Sequence, residues 1–371
     1  MAVVVVTGSQ GFIGRNLLAA LSTRPDVEVL AHDVEDAPEA LAAHLGRADF
    51  VFHLAGVNRP PDPSGFTAGN LDLTERILGL LRKAGRPVPF LISSSTQAAL
   101  DNPYGTSKRE AEARVRAYGQ ATGAPVFVFR LPNVFGKWSR PNYNSVVATF
   151  CHNTAQGLPL EIHDPAREVT LVHVDEVVAQ FLAAFEGRPH LGSDGEPAVR
   201  RTFTVSLGDL ADRIRRFPAL RETREVPDVG DELTRLLYSM YLSYLPTDRF
   251  AYALDTRRDP RGWLAEVLRG PAMGQIFVSV TRPGIARGNH WHHTKTEKFL
   301  VVSGEAVVRF RQLSGTEILE YPVSGAEPRV VDIPPGYTHS ITNTGTTDVI
   351  TLFWASEPFD PGRPDTYALP V

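Results

Sequence analysis

Four consecutive valines, Val3 to Val6, run straight into Thr7-Gly8-Ser9-Gln10-Gly11-Phe12-Ile13-Gly14. β-Branched side chains fit a pleated core, and an unbroken apolar run has no solvated face, so the valines predict a strand buried on both sides. Gly8, Gly11 and Gly14 form G-x-x-G-x-x-G. Glycines in such a turn let the chain double back, let backbone N–H groups approach a pyrophosphate, and let the next helix pack close to the strand. Asn16 to Leu21 repeats apolar residues at helical spacing, so the helix N-terminus would turn its partial positive charge toward the phosphates. Strand, turn and helix together predict a dinucleotide site at Gly8, Gly11, Phe12, Ile13 and Gly14; a plain tight turn is the simpler alternative.

A chain of 371 residues exceeds one ordinary core and implies two or three domains. Hydrophobic content of 43% and charged content of 22% belong to a soluble globular protein. The formal charge of −4, with signs mixed, leaves no basic stripe for nucleic acid or an anionic membrane. The single cysteine, Cys151, excludes an internal disulfide and fits a reducing compartment. The sequence opens on a strand rather than a leader-like segment, and no run approaches ~18 apolar residues, so the expectation is a cytoplasmic protein.

Val27 to Asp33 predicts a second strand, ending in a carboxylate about 20 residues past the glycines, where it can bind an adenosine ribose. Asp33 favours NAD over NADP. Asp49 to Gly56 predicts the next strand, with Leu54 and the small Ala55 and Gly56 at its end, where cofactor would lie. Phe90 to Ser95 predicts another, and the segment 71–82 a helix. Strands alternating with helices imply a doubly wound parallel sheet.

Tyr104 and Lys108 stand four residues apart. Asn102 is a suitable N-cap and Pro103 a favoured first helical residue, so both side chains should share one face of a helix over 103–118. An ammonium near the hydroxyl would lower the tyrosine pKa from ~10 toward the working range of a proton donor. Ser95 is the expected partner of a substrate carbonyl, with its neighbour Ser94 still open.

These motifs resemble the extended short-chain dehydrogenase/reductases, many of which act on nucleotide sugars. The resemblance implies a substrate lobe built by later segments, and implies that Asn133, in Arg130-Leu131-Pro132-Asn133-Val134-Phe135-Gly136, binds sugar or phosphate, while Arg167 meets a diphosphate. Either residue could equally make a structural contact. Sugar dehydratases of the family carry an acidic pair after the serine/threonine position; here Thr96-Gln97 stands there, which favours ketone reduction over elimination.

Helical segments follow over 207–217 and 232–245, and Pro246-Thr247-Asp248 marks the expected boundary, with a reductase domain at 1–245 and a second domain at 246–371. Beyond it, the runs 275–281, 297–302, 306–312, 330–333 and 349–354, separated by Gly/Pro turns, predict an antiparallel barrel or jelly roll. His290 and His292 alternate by two, so on a strand they share a face, and Glu297 and His339 could close on it. Three imidazoles and a carboxylate suit Zn²⁺ or another divalent metal. His293 could replace His292 if the strand slips by one residue. The pattern resembles the two cupin motifs.

Across the whole chain, segments such as Asn58-Arg59-Pro60, Pro141 to Ser145 and Gly288 to Lys295 resemble the CapF-type capsular polysaccharide enzymes. That resemblance implies a bifunctional homodimer using NADPH: the cupin epimerises carbon 3 of a UDP-2-acetamido-2,6-dideoxy-4-hexulose, and the reductase domain reduces the carbon 4 ketone. The product would be a UDP-N-acetyl-6-deoxy-L-talosamine-type precursor of UDP-N-acetyl-L-fucosamine. Asp33 would repel a 2′-phosphate, which Arg15 and Arg47 could offset, so NAD(H) stays open beside NADP(H). His293, Lys295, Lys298 and Tyr337 are the candidate general bases. A plain nucleotide-sugar ketoreductase with a non-catalytic cupin is the alternative, and a non-catalytic NAD(H)-sensing regulator has no need of Tyr104 and Lys108.

Overall fold

The computed structural model describes residues 1–371, the side chain of Pro38 excepted. β1 (Ala2–Thr7) leads through α1 (Phe12–Leu21) to β2 (Val27–His32), α2 (Pro38–Arg47) and β3 (Phe50–His53). A short helix, α3 (Ser64–Phe66), passes through a π-helical stretch, Thr67–Asp72, into α4 (Leu73–Lys83); β4 (Phe90–Ser95), α5 (Pro103–Thr122) and β5 (Val126–Leu131) follow. The five strands form a parallel sheet in the order β2-β1-β3-β4-β5.

The valine run does what its pattern predicts. Val4 and Val6 enter a core with Leu17, Phe52 and Phe181, while Val5 enters the core on the opposite face with Leu45, Ile77 and Phe90. All three valines are fully buried, worth about 1.5–3 kcal/mol each by transfer. Two expected boundaries move. β2 stops at His32 and β3 at His53, so Asp33 and the segment Leu54-Ala55-Gly56 lie in the loops past the strand ends. A doubly wound sheet binds ligands in that region.

β6 (Asn133–Phe135), α6 (Val146–Gln156), β7 (Glu168–His173), α7 (Val174–Phe185), β8 (Phe203–Ser206) and α8 (Leu207–Arg215) complete this part, with a small sheet ordered β6-β7-β8. α9 (Phe217–Thr223) and α10 (Glu232–Ser243) come next. The chain divides into two compact units, 1–215 with 236–245, and 216–235 with 246–371. The segment 216–235 thus departs from a single boundary at 245/246. Its backbone is the reason: Val226 N–H donates to Arg269 and Arg269 N–H to Arg224, both at 2.9 Å.

The second unit is two antiparallel sheets. β9 (Thr256–Asp259), β10 (Gly262–Gly270), β11 (Gly274–Thr281), β12 (Ala286–Trp291), β13 (Glu297–Ser303), β14 (Glu305–Gln312), β15 (Ile318–Ser324), β16 (Val330–Ile333), β17 (Tyr337–Asn343), β18 (Val349–Ala355) and β19 (Tyr367–Ala368) pair as β16-β13-β18-β11-β10-β9 and β15-β14-β17-β12-β19. Phe299, Ile333 and Phe353 from the first sheet meet Val308, Phe310 and Ile341 from the second in one core, as in a cupin jelly roll. No helix among the described residues is long and apolar enough to cross a membrane.

Candidate active site and metal centre

The glycine turn is sterically closed to side chains. Gly8 has φ +68°, and a Cβ there would lie 2.6 Å from the Ala55 nitrogen; a Cβ on Gly14 would collide with the Gly8 carbonyl. Asp33 braces the same turn: Oδ2 accepts from the Gln10 N–H at 2.7 Å and Oδ1 from that of Val34 at 2.8 Å. Arg47, a candidate for offsetting that charge, is tied instead to Glu28 at 2.6 Å. Beneath the turn, buried His53 bridges Thr7 Oγ1 at 2.7 Å and Thr74 Oγ1 at 2.9 Å.

α5 starts where its cap requires, with Asn102 Oδ1 accepting from Gly105 N–H at 2.8 Å and Pro103 as the first residue. The Ser95 hydroxyl lies near enough to the Tyr104 hydroxyl to favour its ionised form, and Lys108 Nζ lies 5.9 Å from the tyrosine ring centroid. Successive residues of a strand face opposite ways, which separates the two serines: Ser94 Oγ donates to the buried Glu112 carboxylate at 2.6 Å, leaving Ser95 on the Tyr104 side. A Cβ on Gly56 would sit 3.0 Å from Lys108 Nζ and 2.9 Å from Asn70 Oδ1, so the loop after β3 lies directly against the lysine.

The electrostatics differ from the simple expectation. Burial pushes the Tyr104 hydroxyl above its ordinary pKa, opposed by the nearby Ser95 hydroxyl. Burial also pulls the Lys108 ammonium down to about 8, opposed by Glu112. The ammonium donates to the Ser93 carbonyl at 3.2 Å and does not offset the burial of the tyrosine. The phenol is therefore held protonated, as a proton donor requires.

Asn133 lies on β6 and Arg167 in the turn just before β7, both exposed. The Asn133 amide donates to the Thr170 carbonyl at 3.1 Å, a structural contact. Asn70 was not singled out from sequence; it is buried, and fixes both Val57, through Oδ1 at 2.9 Å, and Ser107, through Nδ2 at 3.0 Å. Its only signal is an amide in an otherwise helical apolar pattern.

In the second unit His290, His292, Glu297 and His339 converge, their ligand atoms all within 4.8 Å of one another. β12 has a bulge at Asn289, whose φ is +59°, resumes pairing at His290 and ends at Trp291, so His292 lies just past the strand rather than on it, yet its ring joins the cluster. His293 packs against Trp291 and Tyr367 instead. Glu297 Oε2 lies 3.5 Å from His292 Nε2 and 3.3 Å from His339 Nε2, but neither nitrogen makes a hydrogen bond among the described residues. Burial, reinforced by His339, lowers His290 to about 4. Burial alone would raise Glu297, but the adjacent His292 and His339 hold it well below the usual carboxylate range. Three imidazoles, two with orphaned nitrogens, around an ionised carboxylate form a donor set that fits a divalent transition metal.

Residues 4–193 match the NAD dependent epimerase/dehydratase family, and residues 257–367 the polysaccharide biosynthesis C-terminal domain. The chain is 45% identical over 368 residues to the UDP-2-acetamido-2,6-beta-L-arabino-hexul-4-ose reductase of Pseudomonas aeruginosa, covering 99% of this chain and 98% of that one. The crystal structure of the capsular polysaccharide assembling protein CapF from Staphylococcus aureus matches with a TM-score of 0.94 at 45% identity, over 99% of this chain and 100% of that one. The UDP-glucuronic acid 4-epimerase of Bacillus cereus, solved with NAD, matches at 18% identity and a TM-score of 0.51, over 58% of this chain and 84% of that one, a likeness of fold alone.

Proposed function

Because the chain belongs to the NAD dependent epimerase/dehydratase family and, along nearly its whole length, to the CapF-type capsular polysaccharide enzymes, we propose that it is a bifunctional, cytoplasmic nucleotide-sugar enzyme. Its substrate is a UDP-2-acetamido-2,6-dideoxy-4-hexulose, epimerised at carbon 3 in the second unit and reduced at carbon 4 in the first. The observation that carries the reduction is Tyr104 set between the Ser95 hydroxyl and the buried Lys108.

NADP(H), or NAD(H) given Asp33, suits the turn at Gly8, Gly11 and Gly14 and, when bound, supplies the hydride. Ser95 Oγ orients the ketone oxygen, and Tyr104 Oη delivers the proton that oxygen needs as it becomes an alkoxide. Lys108, once charged, stabilises the phenolate left behind. Asn133 and Arg167 are proposed to bind the sugar and its diphosphate.

A zinc or similar ion held by His290, His292, Glu297 and His339 would supply Lewis acidity toward the ketone oxygen. The proton on carbon 3, next to that ketone, then becomes acid enough to move. Of the candidate bases, Lys295 Nζ donates to the Pro364 carbonyl and Thr366, Lys298 pairs with Asp332, and His293 lies outside the cluster. Tyr337 shares the inward face of β17 with His339 and packs on the core, which supports it as the proton-transfer group. Exposed Val302, Val330 and Leu352 on the β16-β13-β18 side of the larger sheet support a homodimer.

Deuterium uptake from D₂O into a UDP-4-hexulose, followed by NMR with and without reduced cofactor, tests both halves. Exchange at carbon 3 without cofactor, lost in His290→Ala, is the expected result. Reduction with no exchange in the wild type would leave a plain ketoreductase whose cupin is non-catalytic.

A further inference from the structure

The segment 363–369 is pinned against the cluster's own chain as a strap. Asp365 holds it. With φ at +40°, its Oδ1 accepts the His293 N–H at 2.8 Å, and its Oδ2 accepts the N–H groups of Thr294 and Lys295, both at 2.9 Å, and the Thr294 hydroxyl at 3.2 Å. Lys295 Nζ clamps the other side, donating to the Pro364 carbonyl at 2.9 Å and to Thr366 Oγ1 at 2.8 Å. Past it, Tyr367 and Ala368 add a short strand beside Trp291 and His290, with the Tyr367 and Trp291 rings stacked at 4.8 Å.

The consequence reaches His292. Its Nδ1 lies 2.5 Å from the backbone carbonyl oxygen of Asp365. A carbonyl only accepts, so Nδ1 carries the proton and Nε2 presents its bare lone pair toward Glu297. A metal-ligating histidine needs that arrangement, its second nitrogen anchored to an acceptor that sets tautomer and ring orientation.

We propose that the C-terminal strap is a working part of the metal site, with Asp365 a positioning residue that locks His292 as an Nε2 donor. This rests on reading the four-residue cluster as a metal site. A strap serving stability alone would leave metal affinity and ligand field untouched.

Cobalt(II) titration of the full-length protein, with a competing chelator and the d–d absorption recorded, separates these cases. Wild type is expected to bind, His339→Ala to lose binding, and Asp365→Ala to weaken it about 10–100-fold with an altered spectrum. Asp365→Asn, which keeps one acceptor oxygen, should fall between. Unchanged affinity and spectrum in Asp365→Ala, with binding lost in His339→Ala, would overturn the strap's role and leave the metal reading intact. Failure of the wild type to take cobalt would overturn the metal reading and the inference with it. Should Asp365→Ala not fold, ¹⁵N NMR of the zinc-loaded wild type decides: an Nδ1–H tautomer at His292 is expected, and an Nε2–H tautomer sinks the proposal.

Discussion

Arg130 grips Glu112 through two parallel hydrogen bonds, Nε to Oε1 at 2.9 Å and Nη2 to Oε2 at 2.7 Å. Glu112 is fully buried on α5, four residues past Lys108, and also accepts from Ser94 at 2.6 Å and Arg116 at 3.2 Å. The fork ties α5 to β5, and the serine ties it to β4. Glu112→Ala would leave Ser94 and Arg130 without their carboxylate, at a cost of about 3 kcal/mol. Burial raises this carboxyl, but Arg130, Ser94 and Arg116 together bring it below its ordinary 4.5. Its contribution is therefore present above pH 4.5 and lost as pH falls below. Denaturant unfolding at pH 7 checks the loss, and equal stability of Glu112→Ala and wild type would contradict it.

The serines on β4 should separate cleanly. Ser95→Ala removes the hydroxyl beside Tyr104 and is expected to lower kcat for ketone reduction about 10²–10³-fold with little change in stability. Ser94→Ala removes only the contact with Glu112, costing about 1 kcal/mol and leaving kcat within a few-fold. Steady-state kinetics with the melting curves of both variants decide; a reversed ranking would move the catalytic assignment to Ser94.

Lys108 sets an alkaline limit. Its burial lowers the ammonium to about 8, so the charge that steadies the Tyr104 phenolate is present below that pH and lost above it. The kcat/KM for reduction, which reports the free enzyme, should fall with rising pH along a limb near 8. Lys108→Met should lack the limb and most of the activity. A flat profile to pH 9.5 in the wild type would show that the lysine charge is not needed.

Local rules made much of this legible. The valine run, the glycine turn and the Asn102-Pro103 cap each act within a few residues, and each appears where its physics puts it. The histidine cluster was legible as a spacing, but not the bulge at Asn289 or the end of β12 at Trp291, which leaves His292 to join from beyond the strand. β15 went unread because Pro322 interrupts its pattern; the strand lies at the sheet edge, where a missing N–H costs no ladder bond. Glu112 and Asp365 could not be found from sequence at all. One meets Arg130 across the sheet, the other meets His292 through a backbone carbonyl 73 positions away, and neither contact leaves a periodicity.

His53 should make the first unit acid-sensitive. Its ring is buried between Thr7 and Thr74, and burial, with a smaller contribution from Lys108, lowers its pKa from 6.5 to about 3. Below pH 6.5 the unfolded chain takes up a proton that the folded chain refuses, so stability is full above 6.5 and declines as pH falls toward 3. The shift corresponds to roughly 5 kcal/mol across that window. His53→Gln, which retains polar contacts without a titrating group, is expected to start less stable at pH 7 and to lose less on acidification. Parallel slopes for the two proteins between pH 6.5 and 4 in denaturant titrations would show that His53 is protonated in the folded state, and that the Thr7–His53–Thr74 bridge beneath the glycine turn is charged.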